Sequence, residues 1–87
     1  MRKLKQAEKR LLTTCQKYGY RYIARDSDEE LWVFKAKPVK SEKFGVWFNF
    51  GMRHDYVCLK KHRLEGIVLW EDEEPTLIAK LLVEDKQ

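Results

Sequence analysis

The chain opens with apolar residues that recur every three or four positions among charged ones. They are Leu4, Ala7, Leu11, Leu12, Cys15 and Tyr18. This spacing places side chains on one side of an α-helix. Gly19 follows the last of them, where a helix commonly ends in a left-handed residue. The pattern predicts an amphipathic N-terminal helix within residues 1–18.

The middle of the chain has the composition of β-strands. Runs rich in aromatic and β-branched residues, separated by polar or glycine-containing turns, cover residues 20–25, 31–36, 44–50 and 56–60. The short polar loop between the first two runs predicts a hairpin. In the third run, alternation predicts that Trp47 faces the opposite way from Val46 and Phe48.

Three further segments complete the predicted order of elements. Residues 39–43, after Pro38, are predicted to form a polar loop, and the apolar run 67–70 to form a short fifth strand. Pro75 follows four acidic residues and precedes an apolar stripe, which predicts a short helix over residues 75–84 that begins at this proline.

Together these segments predict a single α+β domain over residues 1–87. Its centre is an antiparallel meander of four to five strands, because the short connections leave no room for parallel crossovers. An N-terminal helix and a short C-terminal helix should bury their apolar stripes against it. If both helices share one face, Trp32 or Trp47 is expected on an open second face, and exposed aromatic patches usually mark interfaces.

Composition narrows the class of protein. The 87 residues carry a net charge of +4, with residues 1–63 basic overall and residues 64–87 acidic. Such asymmetry indicates either a basic binding surface or two halves that attract one another. The chain shows no signal peptide and no apolar run of membrane-spanning length, so we predict a cytoplasmic protein with no membrane partner and with reduced cysteines.

No pattern in the chain indicates enzyme chemistry, a cofactor or a metal. His54, Cys58 and His62 lie four residues apart, but the close ligand pairs of zinc sites are missing, and a strand would separate the histidines widely. Cys58 lies in an apolar strand without an activating group, which indicates a structural thiol. The acidic loop 26–30 lacks the glycine and distal glutamate of a calcium loop. We therefore predict a non-enzymatic protein.

A basic and aromatic region suggests nucleic-acid binding as one hypothesis. The cations Arg53, Lys60, Lys61 and Arg63 lie near Trp47 in the sequence. Cations neutralise phosphates and aromatic rings stack on bases, so this combination suits a nucleic-acid-binding sheet face. Lysines also cover most sheets, however, and no recognised DNA- or RNA-binding signature is present.

Two segments of the chain resemble small uncharacterised proteins encoded by phages and prophages of Gram-positive bacteria. They are the stretch 18–26 with the following loop and aromatic strand, and the ending 70–82. The resemblance implies a compact accessory protein of a mobile element, but no activity and no catalytic residue.

Protein binding is the favoured functional prediction. The resemblance, the charge asymmetry and the many aromatic residues fit a small domain that docks on a host or phage protein, or on a second copy of itself through the sheet face. The candidate partner-binding residues are Trp47, Arg53, Lys60, Lys61 and Arg63. Nucleic-acid binding through the basic and aromatic sheet face remains the alternative.

Overall fold

The computed structural model describes residues 2–49 and 55–85, and these residues form two helices and six strands. In chain order they are α1 (Gln6–Lys17), β1 (Tyr22–Arg25), β2 (Leu31–Phe34), β3 (Val39–Ser41), β4 (Val46–Phe48), β5 (Tyr56–Leu59), β6 (Thr76–Leu77) and α2 (Ile78–Asp85). The predicted α+β class, with an N-terminal and a short C-terminal helix, is confirmed. Neither of the described helices is long and apolar enough to cross a membrane.

A four-stranded antiparallel sheet organises the fold. Its strand order is β5-β2-β1-β6, and the predicted β1–β2 hairpin is confirmed, with pairs running from Tyr22–Phe34 to Arg25–Leu31. The order departs from a simple meander because β6 returns to lie beside β1. In addition, β3 and β4 pair only with each other in a separate two-stranded sheet.

One side of the four-stranded sheet, the helix face, holds the main core. Ile23 and Val33 lie on this face and are almost completely buried, together with Leu12 of α1 and Ile78 of α2. The full cluster comprises Leu4, Leu12, Cys15, Ile23, Leu31, Val33, Leu64, Ile67, Val68, Ile78 and Leu81. Both helices therefore share one face of the sheet.

The opposite side, the hairpin face, is covered by the small sheet of β3 and β4. Trp47 of β4 is only 6% exposed and packs in a second cluster with Ala24 and Phe34. The prediction of a polar loop over residues 39–43 was wrong, because Val39–Ser41 pairs with Val46–Phe48. The expectation of an open aromatic face was also wrong for Trp47, because this hairpin folds its own tryptophan onto the sheet.

Backbone and side-chain contacts fasten the β3–β4 hairpin. The N–H of Trp47 donates to Asp26 Oδ1 at 2.8 Å, and the N–H of Ser27 donates to the carbonyl of Gly45 at 2.9 Å. Gly45 has φ of +66°, and a Cβ there would collide with the Ser27 hydroxyl. Glycine is thus required by both conformation and space. Lys40 Nζ donates to the Trp70 carbonyl and lies 4.2 Å from the centre of its ring.

The C-terminal part differs from the prediction at two points. Residues 67–70 form turns rather than a strand, although Ile67 and Val68 are buried. The helix begins at Ile78 instead of Pro75, because Thr76 and Leu77 first pair with β1. The acidic residues 71–74 therefore precede β6 and do not cap a helix.

The start of α1 is set by Glu8. Its carboxylate accepts the backbone N–H of Lys5 at 2.7 Å, which satisfies one of the free donors at a helix N-terminus. Arg2 binds both carboxylate oxygens, at 2.8 and 2.6 Å, and also donates to the Glu65 carbonyl. The helix therefore begins at Gln6, and the residues before it fold back over Glu8.

Glu8 should make the stability of the domain decrease in acid. The Arg2 hydrogen bonds lower the pKa of Glu8 from 4.5 to about 2, so its stabilising contribution is complete above about 4.5 and is lost as the pH falls towards 2. Urea unfolding at a series of pH values should show that Glu8→Gln lowers stability near neutrality and that the difference from wild type disappears in acid.

The control for this experiment is Glu84→Gln, because Glu84 makes only an exposed ion pair with Lys80. Asp26 acts in the opposite direction, since its pKa is raised, mainly by burial, which favours the folded state at low pH. Parallel pH–stability curves for wild type and Glu8→Gln would contradict the assignment to Glu8.

Candidate functional site

The strand β5 is an exposed edge of the four-stranded sheet. It pairs with β2 on one side, and Tyr56, Val57 and Cys58 are all exposed. Lys35 N–H donates to the Asp55 carbonyl, so in the alternating antiparallel ladder Tyr56 and Cys58 direct their backbone groups away from β2. An apolar edge with free backbone groups is a template for a further strand.

A groove runs between the end of β5 and the outer surface of α1. It consists of two adjoining depressions that share Leu11 and Arg63, with volumes of about 240 and 300 Å³. The lining residues are Ala7, Arg10, Leu11, Thr14, Cys58, Leu59, Lys60 and Arg63. Apolar groups form its floor, and every charged residue in this lining is a cation.

These cations lack acidic partners in the described part of the chain. Arg10, Lys60 and Lys61 are exposed and Arg63 is half-buried, and none of the four makes an ion pair with residues 2–49 or 55–85. Their charge is therefore available to a partner. The acidic C-terminal part does not neutralise them, although the charge asymmetry in the sequence had left that alternative open.

The loop that carries Lys60, Lys61 and Arg63 is held by Arg25, a residue to which the sequence analysis gave no role. Arg25 is 3% exposed and donates to four backbone carbonyls, those of Val68 (2.7 Å), Glu29 (2.9 Å), Lys61 (2.8 Å) and Arg63 (2.6 Å). A planar guanidinium carries several N–H donors in fixed directions, so it suits a set of carbonyl acceptors arranged around it. Its place at the end of a buried strand was the only signal in the sequence.

An aromatic pocket lies between the hairpin face of the main sheet and the β3–β4 hairpin. Its volume is about 230 Å³, and it is lined by Asp26, Trp32, Phe34, Val46, Trp47, Phe48, Asn49 and Tyr56. The Tyr56 ring centre lies 5.8 Å from that of Trp32 and 6.2 Å from that of Phe34. Tyr56 and Phe48 are over a third exposed and form the rim.

The polar groups of this pocket are buried. The Asp26 carboxyl is 5% exposed, and burial raises its pKa, an effect that the Trp47 N–H opposes and that Asp28 and Glu30 reinforce. The buried indole N–H of Trp47 has no hydrogen-bond partner among the described residues, whereas that of Trp32 acts on the Asp26 carboxyl as a donor that lowers its pKa. A buried unpaired donor costs about 1–3 kcal/mol, so the Trp47 indole is not explained by its hydrogen-bonding capacity.

The structure separates the residues that the sequence grouped as one site. Trp47 belongs to the aromatic pocket, whereas Lys60 and Arg63 line the groove beside α1, and Lys61 borders a different depression near Arg25. Arg53 lies outside the described residues. No depression described for residues 2–49 and 55–85 combines these cations with tryptophan, tyrosine or phenylalanine.

The cysteines and histidines do not come together in the part of the chain that the structure describes. Cys15 is buried on α1, Cys58 is exposed on β5 and His62 is exposed in the following turn, while His54 lies outside the described residues. Burial raises the pKa of the Cys15 thiol. The pKa of the Cys58 thiol is raised too, first by burial and then by acidic neighbours such as Glu30. A raised thiol pKa reduces nucleophilic character.

Comparison of the chain with protein-family models, with curated proteins and with solved structures finds no match in any of the three. The predicted relationship to phage-encoded proteins therefore stays a prediction. The candidate surfaces are therefore identified from the structure of this protein alone. They are an exposed edge strand with a basic groove and, on the other face of the sheet, an aromatic pocket.

Proposed function

We propose that this protein is a non-enzymatic binding module that takes up an extended, acidic segment of another protein along β5. The observation that carries this proposal is the exposed apolar edge of β5 beside cations that have no acidic partner among the described residues. A partner segment would add a fifth strand to the sheet, with main-chain hydrogen bonds giving affinity and side-chain contacts giving selectivity.

The chemistry of the partner follows from the charges around this edge. Arg10, Lys60 and Arg63 line the adjoining groove, and they have no acidic partner within the described residues. Complementary charge raises the rate of association and excludes partners of the same sign. A strand with alternating acidic side chains would place them against these cations while its backbone pairs with β5.

Protein is favoured over nucleic acid because Trp47 and the cations of the groove lie in separate places. Stacking of bases beside a phosphate-binding groove needs both in one surface. Trp47 is buried between the hairpin and the main sheet, and no aromatic ring is found among the described residues that line the groove. The resemblance to phage-encoded proteins adds the expectation that the partner is a phage or host protein.

A defined peptide tests this proposal. A fluorescent peptide that alternates glutamate with valine should bind the full-length protein. A lysine–valine peptide of equal length should bind at least about tenfold more weakly, because its charges are repelled. Fluorescence anisotropy at low and moderate salt measures both, and a single-stranded oligonucleotide of similar charge provides the nucleic-acid comparison.

Two variants connect the binding to this surface. Cys58→Pro removes an N–H that points away from β2, so it should block strand addition while sparing the sheet. Arg63→Glu reverses a groove charge, with Lys43→Glu as the matched control on the hairpin turn. Each of the first two should weaken peptide binding about tenfold or more, since backbone pairing and charge both contribute.

Three results would overturn the proposal. The first is equal binding of both peptides, and the second is binding unaffected by Cys58→Pro. The third is steeply salt-dependent binding of the oligonucleotide without binding of either peptide, which would favour nucleic acid.

Sedimentation adds a further comparison. A dimer that Cys58→Pro abolishes and Arg63→Glu leaves intact would assign the edge to a second copy of this chain instead.

A further inference from the structure

The aromatic pocket has the composition of a site for a positively charged group. Five of its eight lining residues are the aromatic residues Trp32, Phe34, Trp47, Phe48 and Tyr56. The face of an aromatic ring attracts cations, and tryptophan does so most strongly. Rings already meet cations in this domain, since Lys40 Nζ lies 5.7 Å from the centre of the Trp47 ring without itself lining the pocket.

The indole of Trp47 supports a ligand rather than packing alone. Trp32 and Trp47 line the pocket, and the buried N–H of Trp47 has no partner among the described residues, whereas that of Trp32 acts on the Asp26 carboxyl. A phenylalanine would fill much of the same space without leaving a donor unpaired. An indole still differs from a phenylalanine ring in the more negative electrostatic potential of its ring face, which attracts a bound cation.

The acidic residues around the pocket produce an electric field that attracts a cation. Asp26 is the one carboxylic acid among the described lining residues, and it is 5% exposed. Asp28 and Glu30 act on it from the same loop and disfavour its ionised form. A cation in the pocket would compensate this charge, whereas the phosphate of a nucleotide would be repelled by the three carboxylates.

We propose that the pocket between the β3–β4 hairpin and the main sheet binds a methylated ammonium group, with Asp26 as counter-charge and the rings of Trp32, Trp47 and Tyr56 as walls. A volume of about 230 Å³ accommodates such a group but is small for a drug-sized ligand. The group would come from a free quaternary amine or from a methylated lysine of a protein. This site shares Tyr56 with β5, but it uses the tyrosine ring, whereas the proposed strand addition uses the outward backbone groups of β5.

Choline and its neutral isostere 3,3-dimethyl-1-butanol test the proposal, because they differ in charge and hardly in shape. Titration of ¹⁵N-labelled full-length protein should shift the indole N–H resonances of Trp32 and Trp47 at millimolar choline. The indole resonance of Trp70, which does not line the pocket, should move least. The neutral isostere should bind about tenfold more weakly, as expected for loss of a cation–π and charge contribution.

Asp26→Asn removes the negative charge and keeps an oxygen that can accept the Trp47 N–H. It should weaken choline binding about tenfold. Glu84→Gln is the matched control, since it removes one negative charge on α2, which packs against the helix face. Thermal unfolding of both variants shows whether the fold is retained, and an unfolded Asp26→Asn is replaced by Trp32→Leu for the same comparison.

A trimethyl-lysine peptide and its unmodified counterpart distinguish the sources of the cation. Binding of choline and of the modified peptide supports a general ammonium site, and binding of the modified peptide alone supports a protein side chain. The proposal is overturned if the neutral isostere matches choline, or if neither choline nor the modified peptide shifts the two indole resonances. Peptide binding at β5 is unaffected by these results, so the two proposals fail separately.

Discussion

Replacing Arg25 with methionine should lower the free energy of unfolding by about 3–5 kcal/mol, because several backbone acceptors lose their donor at about 1–3 kcal/mol each, although no acidic residue pairs with Arg25 in the described structure. The guanidinium donates to the carbonyls of Glu29, Lys61, Arg63 and Val68. Methionine fills similar space but leaves these partly buried acceptors without a donor, and each lost charge-assisted hydrogen bond is costly. Urea unfolding followed by circular dichroism measures the change.

Arg21→Met is the control for this prediction. Arg21 lies just before the same strand and is exposed, with its side chain over the Tyr22 ring, so its loss should change stability by about 0.5 kcal/mol or less. Arg25→Lys should resemble Arg25→Met more than wild type, because one ammonium cannot reach a fan of four carbonyls. Equal stability of Arg25→Met and Arg21→Met would show that the Arg25 contacts do not hold the loop.

Trp47→Ala should lower the free energy of unfolding by about 3–5 kcal/mol, the usual cost of removing a large buried aromatic side chain. The side chain is 6% exposed and joins the β3–β4 hairpin to Ala24 and Phe34 of the main sheet. Its loss should therefore detach the hairpin. Relative to wild type, the variant should show a larger increase in the rate of amide hydrogen exchange in β3 and β4 than in β1 and β2.

Two further substitutions separate the ring from its polar atom. Trp47→Phe should cost clearly less than Trp47→Ala, because the indole N–H has no partner to lose. Phe44→Ala removes a ring that is 73% exposed on the hairpin turn, and stability should hardly change. A stable Trp47→Ala protein that had lost only peptide binding would instead place Trp47 at the partner surface, as the sequence had suggested.

Local sequence signals predicted the first part of the fold correctly. The periodicity of α1, the left-handed Gly19 after it and the polar loop between β1 and β2 depend on neighbours along the chain. The observed α1 lies within the predicted span of residues 1–18, and its exact start depends on the contact of Glu8 with Arg2, which forms only in the folded chain.

The later elements could not be predicted from local signals because distant partners decide them. Thr76 and Leu77 are extended because β1 offers them a free edge, which moves the helix start from Pro75 to Ile78. Residues 67–70 have strand-like composition, yet the Arg25 side chain fixes the Val68 carbonyl in a turn. A short apolar run is equally compatible with either state until its partner is known.

The candidate sites show the same division. Lys60, Lys61 and Arg63 were expected to act together with Trp47, since they are close in sequence. The structure directs the tryptophan inward on the hairpin face, whereas Lys60 and Arg63 line the groove next to α1 and Lys61 borders the depression near Arg25. Neither the groove nor the aromatic pocket is encoded in one segment, because each is lined by residues from several elements.

The sequence by itself determined the α+β class, the amphipathic helices, the first hairpin and the net positive charge, since these depend on periodicity, turn chemistry and composition. The tertiary structure alone decided which strands lie at the edges, that β3–β4 covers the second face, and that Arg25 holds the basic loop. Exposure and burial arise from contacts between segments far apart in the chain, and these contacts turned one predicted aromatic and basic site into two separate ones.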